Sequence, residues 1–345
     1  MNYQEPRLKV GATDIRNTLA ARMGQSELKK GRWKLDFANI VTSNVSNYQI
    51  IEGLEGEPDP EYTTETLMSD QIKIFWWMNI GLYNSLFECF SHLVHEIKKY
   101  EDPVVIINTT NIFSEMDYAY ATFILQSLTD IGVKWEIYNH KNIIYVNNFV
   151  VINRFCVTPE NIQELKDHFA KYIKNKDVKP FRKVYLSRRH LAPRDYKWIK
   201  DGLSCKTDHR LFDSEVLEKF LEDNGFEVII PEEKFTNFVD QINYMYEVDT
   251  LVSLSSSGIA NALFMQKNTS VIEFITTYPM GLITGNWSED ENSVEGSESV
   301  HHLYQTLSYV NHNCYFALPN WSRYSEDLIN IIKENTHFRK IIMGE

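Results

Sequence analysis

The sequence is short of the features that mark several protein classes. Its 345 residues hold four cysteines, at 89, 156, 205 and 314. None forms a close Cys-x-x-Cys pair, which removes the usual structural-zinc and redox motifs and leaves buried free thiols as the expectation. Fourteen glycines and ten prolines are too few for a collagenous or low-complexity chain. There is no basic excess: 35 Lys and Arg stand against 47 Asp and Glu, a formal charge of −12. A surface this acidic repels a phosphodiester backbone and anionic lipid, so no nucleic-acid partner is expected outside a local basic cluster. Long hydrophobic runs are missing too. The longest uncharged apolar-rich stretch, Ile74 to Phe87, includes two Asn and a Ser and falls short of a bilayer span of about 20 residues, so no transmembrane segment is expected. The opening MNYQEPRLKVGATDIRN carries charges where a signal core would lie, and a cytoplasmic location is the expectation.

What is present suits a globular chain of about two domains. The apolar fraction is 43%, and 19 Tyr and 19 Phe supply enough area for a sizeable core. Residues 1 to about 70 show no legible pattern. From Gly81, GLYNSLFECFSHLVHEIKKY puts Leu82, Leu86, Phe90 and Leu93 on one helical stripe. A strand at Pro103 to Asn108, a helix around Glu115 to Asp130 stopping at Gly132, and strand-like VKWEIY and NIIYVNNFVVI follow, then a helix near Pro159 to Ile173. The charged, Pro-containing Lys174 to Lys183 carries almost no apolar period and marks a boundary, giving domains 1–176 and 177–345. Beyond it strands KVYLS, FEVII, TLVSL and SVIEFI alternate with helices. One of these is capped by Asp213 and ends at Gly225, one surrounds Gln241, and one opens from the Ser/Gly turn of SSSGIANALFM. VHHLYQTLSYV and Ser325 to Lys333 are the last. This alternation predicts an α/β protein of parallel βαβ units: two Rossmann-like domains facing a cleft, with ligands at the carboxyl ends of the strands.

Three constellations bear on chemistry. Ser187-Arg188-Arg189-His190 ends a predicted strand, where planar guanidinium groups suit a diphosphate and Arg210 offers a third cation. The alternative is a solvated basic loop paired with nearby acids. Ser255-Ser256-Ser257-Gly258-Ile259-Ala260-Asn261 is a small-residue turn from strand to helix, either an anion site of exposed N–H groups or simple capping. Glu273, closing the next strand, reads as a ribose acceptor or as a strand-end carboxylate in solvent. Third, Asn84, Glu88, His92 and His95 follow one another at helical spacing. A zinc site is not read there, for want of the intervening Glu and a third ligand. Nor does the chain contain Asp-x-Asp, a Gly-x-Ser-x-Gly elbow or a Gly-x-Gly-x-x-Gly fingerprint, which argues against a metal-bound diphosphate, serine hydrolysis and a dinucleotide oxidoreductase. Trp76, Trp77 and Tyr83 offer either pyranose stacking or core packing.

The runs KVYLSRRHLAPRDY, HRLFDSEVLEKFLEDNGFEVIIPEEKF and DQINYMYEVDTLVSLSSSGIANALFMQKNTSVIEF resemble the C-terminal half of glycosyltransferase family 61. The segment Tyr83-Asn84-Ser85-Leu86-Phe87-Glu88 resembles the family's Trp-His-Trp-Leu-x-Glu helix. The resemblance implies an inverting, metal-independent transferase of the two-domain GT-B architecture, with its last helix packing back on the first domain. It would need no cofactor and would move a sugar from a nucleotide sugar, a UDP-sugar such as UDP-xylose or UDP-GlcNAc, to a hydroxyl of a glycan acceptor in polysaccharide biosynthesis. It implies that Arg188 and Arg189 approach the diphosphate and that Gly258 and Asn261 belong to the nucleotide turn. Arg210, Asp213 and Gln241 stand at the positions of the family's second Arg, Glu and Gln. Glu273 would hold the ribose, and the base would be Glu88, Glu115 or Asp117. This chain departs from the pattern at Ser255, where the family has His, at Ser256 and Ser257, where it has Gly and Ala, and at Asn84, where it has His. A nucleotide- or glycan-binding relative without turnover is the alternative.

Overall fold

Branched and aromatic residues in short unbroken runs, such as Val104–Ile107 and Leu251–Leu254, are buried along their whole length, as in parallel strands covered on both faces. The computed structural model describes residues 29–36, 50–51, 64–67, 70–77, 82, 84–108, 119–138, 143–152, 158–189, 196–197, 204–205, 211, 213–254, 256–274, 313–317 and 324–345. Gly11–His168 and Phe169–Glu345 form two compact units, each an α/β layer structure.

The N-terminal unit is built on strands β1 (Lys29–Asp36), β2 (Ile50–Ile51), β3 (Thr64–Leu67), β4 (Lys73–Trp77), β5 (Val104–Asn108), β6 (Lys134–Tyr138) and β7 (Ile143–Val151). They lie in the order β2-β1-β7-β4-β5-β6, with β3 also on β7. β3 to β7 pair in parallel, and β1 and β2 add an antiparallel margin. Three of these strands come from the first 70 residues, where sequence patterning was silent. The stripe from Gly81 becomes a π-helical turn, Asn84–Phe90, running into an α-helix, Ser91–Ile97. The expected period is therefore interrupted, because π bonding skips one residue further along the chain. Leu86, Phe87, Phe90 and Leu93 are nonetheless buried. Helix Ala119–Thr129 precedes Gly132, which takes the left-handed φ of +79° that ends it. Helix Pro159–Ala170 places Asn161 Nδ2 3.2 Å from His92 Nδ1 and Glu164 3.2 Å from His95.

The C-terminal unit has strands β8 (Arg182–Leu186), β11 (Glu227–Ile229), β12 (Val248–Leu254), β13 (Ser270–Phe274) and β14 (Asn313–Ala317), plus a two-stranded hairpin, β9 (Tyr196–Lys197) and β10 (Ser204–Cys205). The main sheet runs β11-β8-β12-β13-β14 and is parallel throughout. Helices Ser214–Asp223, Pro231–Lys234, Phe238–Tyr246, Ser325–Glu334 and Thr336–Met343 accompany it, together with a 3-10 helix, Ser257–Phe264. Tyr185, Leu217, Leu221, Ile272, Leu328 and Phe338 belong to one buried core. Strand β14 had no counterpart in the sequence reading, and VHHLYQTLSYV lies outside the described residues. The helix expected to close the chain is followed by a second, Thr336–Met343. Asn335 leaves helical geometry between them, and its side chain accepts from the N–H groups of His337 and Phe338, so the apolar period continues while the helix restarts.

Asp213 corrects a further expectation. It precedes helix Ser214–Asp223 but makes no side-chain cap there. Its carboxylate instead accepts from Ser325 N at 2.7 Å, and Ser325 Oγ donates to the Asp213 carbonyl at 2.7 Å. The acid thus caps the helix 112 residues away, whose first N–H groups lack intrahelical partners. Asp213→Ala is expected to lower stability by about 1 kcal/mol, read as a lower urea midpoint at constant m-value.

Candidate functional site

In the C-terminal sheet β8 lies between β11, which follows it in sequence, and β12, which comes after both. The connections that follow β8 and β12 therefore run in opposite directions, toward β11 and toward β13. The crevice at the carboxyl ends of β8 and β12 is the point where an open parallel sheet binds ligands. Leu186 of β8 pairs with Ser253 of β12, so the segments leaving these strands, Ser187–Arg189 and Ser256–Gly258, begin as neighbours. A Cβ added at Gly258 would lie 3.7 Å from Leu186 Cδ1 and 3.3 Å from Ser256 Oγ. The Leu186 contact would be an ordinary one, and only the Ser256 hydroxyl would have to yield.

The turn opens the 3-10 helix, which is not the α-helix that strand-to-helix patterning suggests. Ile259 N donates to Ser256 O, so the N–H groups of Ser257 and Gly258 precede the first intrahelical bond and carry the positive end of the helix dipole. Asn261, fully buried, holds this geometry: its Nδ2 donates to Gly258 O at 2.8 Å, while its Oδ1 accepts from Gln241 Nε2 at 2.6 Å. Gln241 comes from helix Phe238–Tyr246 and is 7% exposed. These two amides, placed at the site by sequence, thus meet as a buried pair beneath the turn. Asn261→Ala leaves the Gln241 amide without its acceptor and should cost about 1–3 kcal/mol of stability, measurable as a reduced chemical-denaturation free energy.

On the β8 side Ser187 is buried, Arg188 partly buried and Arg189 more than half exposed. Ser187 N extends the ladder by donating to Ile229 O at 2.8 Å. Arg189 Nη1 lies 3.1 Å from Glu218 Oε2, and Ser187 Oγ donates to Glu218 Oε1 at 2.5 Å. Glu218, from helix Ser214–Asp223, is 4% exposed. Sequence reading did not single it out, although a signal existed: it sits among Leu217 and Leu221 on the buried stripe, where an unpaired acid would be costly.

Glu273, on β13, is 1% exposed, which overturns the reading of a carboxylate in solvent. Burial first, and then the charge of Glu273, push the Cys314 thiol well above its ordinary range, so Cys314 is a neutral interior group. Cys314 and Cys89 are both buried thiols, as expected. Arg210, Ser255, His190, Glu115, Asp117 and Tyr83 lie outside the described residues, as do the side chains of Glu88, Asn84 and Trp77. The backbone of Asn84 and Glu88 belongs to the π turn, a feature frequent at functional sites. Trp76 is 2% exposed and tilts against Phe90 at 5.9 Å between ring centroids, a core residue. Among the described residues no three His, Cys, Asp or Glu side chains converge as metal ligands, and no helix is long and apolar enough to cross a membrane.

Two α/β units with parallel sheets, one presenting a basic segment and a small-residue turn at its reversal point, define a Rossmann-like architecture compatible with a glycosyltransferase. The sequence model described as Glycosyltransferase 61 matches residues 66–272, more than half of the chain. The chain belongs to glycosyltransferase family 61. The match runs from the end of β3 into β13 and includes Glu88, Arg188, Gln241 and Asn261, stopping one residue short of Glu273. A search of curated protein sequences found no match. As a glycosyltransferase the protein acts on a sugar donor and an acceptor.

Proposed function

We propose that the protein is an inverting glycosyltransferase of the two-domain GT-B kind, with the C-terminal unit binding a nucleotide sugar and the N-terminal unit serving a glycan acceptor. The observation that carries the reading is the juxtaposition of Ser187–Arg189 with the Ser256–Gly258 turn at the sheet's reversal point, an arrangement of cationic and N–H donors suited to a diphosphate. The donor is a uridine diphosphate sugar, as family resemblance suggests. In the reaction the acceptor hydroxyl attacks the anomeric carbon and the bond from that carbon to the diphosphate oxygen breaks. A carboxylate takes the hydroxyl proton, and the nucleoside diphosphate leaves with the electron pair. Arg188, assisted by Arg189 and Arg210, and the N–H groups of Ser257 and Gly258 stabilise the charge on the leaving group. That supply of charge from the chain itself supports a metal-independent reaction. Glu88 is the first choice for the base, ahead of Glu115 and Asp117, because it lies in the helix matched to the family. Glu273 receives the ribose. Polysaccharide biosynthesis in the cytoplasm is the setting this reading assigns.

A thermal-shift panel tests it, with UDP, GDP, CDP, CMP, ADP and NAD, each with and without magnesium or manganese. A ligand at 100 times its dissociation constant stabilises by about 2.7 kcal/mol. A shift with UDP alone, unchanged by metal, supports the donor class. A shift only with metal, or with another nucleotide, revises it, and no shift with any nucleotide favours a glycan-binding relative, for which the replacement of the family's turn histidine by Ser255 and of its helix histidine by Asn84 would account.

A further inference from the structure

The segment between β8 and its following loop is held from one side by a single carboxylate. Glu218 Oε1 accepts the Ser187 hydroxyl at 2.5 Å, and Oε2 accepts from Arg189 Nη1 at 3.1 Å. Ser187 Oγ in turn accepts from Arg189 N at 3.2 Å, closing a local Ser turn. The two residues so held are the immediate neighbours of Arg188 on either side. The carboxylate is 4% exposed and comes from helix Ser214–Asp223, whose other inward residues, Leu217 and Leu221, are fully buried in the core. Its position is therefore set by packing rather than by the loop it binds.

We propose that Glu218 is a positioning residue that locks Ser187 and Arg189 and so presents Arg188 to the donor diphosphate; the inference rests on the donor reading above. A guanidinium whose backbone is already fixed loses less freedom when it binds, and so contributes more to affinity. The arrangement also explains a charge that otherwise works against the site. A buried anion beside a diphosphate repels it, so a carboxylate acting only through its charge would weaken donor binding. One that acts by positioning strengthens it. The two roles predict opposite signs for the same substitution.

The experiment is calorimetric titration of the full chain with UDP, for wild type, Glu218→Gln, Ser187→Ala, the double variant and Arg188→Ala, with melting temperatures recorded alongside. Glutamine keeps the shape but loses the charge-assisted bonds to Ser187 and Arg189. Glu218→Gln is expected to weaken UDP about tenfold and Ser187→Ala about threefold, with the double variant no weaker than Glu218→Gln because both break one unit. In a glycosyl-transfer assay the donor KM rises while the acceptor KM stays. Unchanged or tighter UDP binding by folded Glu218→Gln overturns the proposal, even where the melting temperature falls, since a merely structural role moves only the latter. Should Glu218→Gln fail to fold, unchanged UDP affinity in Ser187→Ala overturns it instead. Loss of UDP binding in Arg188→Ala with wild-type affinity in Glu218→Gln, Ser187→Ala and the double variant removes the clamp alone. Wild-type affinity in Arg188→Ala, or no UDP binding by the wild type, removes the donor reading and the clamp with it.

Discussion

Arg188→Ala is expected to weaken UDP binding about a hundredfold, the effect of about 2.7 kcal/mol, while leaving the melting temperature within about 2 °C of wild type. The binding loss follows from chemistry. A guanidinium offers a planar fork of donors to phosphate oxygens, and truncating one member of a desolvated charge pair costs about 2–5 kcal/mol. The small thermal effect follows from position. Arg188 lies two residues beyond Leu186, where β8 ends, and it is only partly buried, whereas Val184, Tyr185 and Leu186 of the strand are buried. Calorimetry with UDP and a thermal melt of the same sample check both halves. Wild-type affinity would remove the diphosphate role, and a large drop in melting temperature would show Arg188 to be part of the fold's support instead.

Phe338→Ala is expected to destabilise the protein by about 3–5 kcal/mol, the range for deleting a large aromatic side chain from a packed core. Phe338 is fully buried on helix Thr336–Met343. Its ring stands edge-on to Tyr315 of β14 at 6.4 Å and tilts against Phe274 of β13 at 6.1 Å. Both partners come from the outer side of the sheet, so the ring ties the end of the chain to the two strands furthest from β8. Asn335 and the left-handed Gly344 mark the ends of that helix. The check is a urea titration. A decrease under about 1 kcal/mol would mean that the site collapses around the smaller residue.

Legibility in the sequence followed the range of the interactions. Strands β5, β8, β12 and β13 and the helix ending at Gly225 are stated by local pattern, because a buried strand must be apolar and a helix end favours glycine. Strands β1 to β3 were not legible: an antiparallel margin and short pairings on β7 need no distinctive period. β14 escaped for a similar reason, since NCYFA is a five-residue segment that becomes a strand by lying beside β13. The π turn at Asn84–Phe90 was hidden because its buried residues still look like one helical stripe.

The sequence by itself determined the family, the alternation of strands and helices, the basic segment after β8 and the small-residue turn after β12. All of these are carried by residue type and spacing over a few positions. Only the tertiary structure decided what those residues do to one another. Strand order made β8 and β12 neighbours. Glu218 reached Ser187 across 31 residues, Gln241 reached Asn261 across 20, and Asp213 reached Ser325 across 112. A buried polar group must find a partner, and local pattern states that demand without naming the partner, because the choice depends on which distant segment the packing of the core brings alongside.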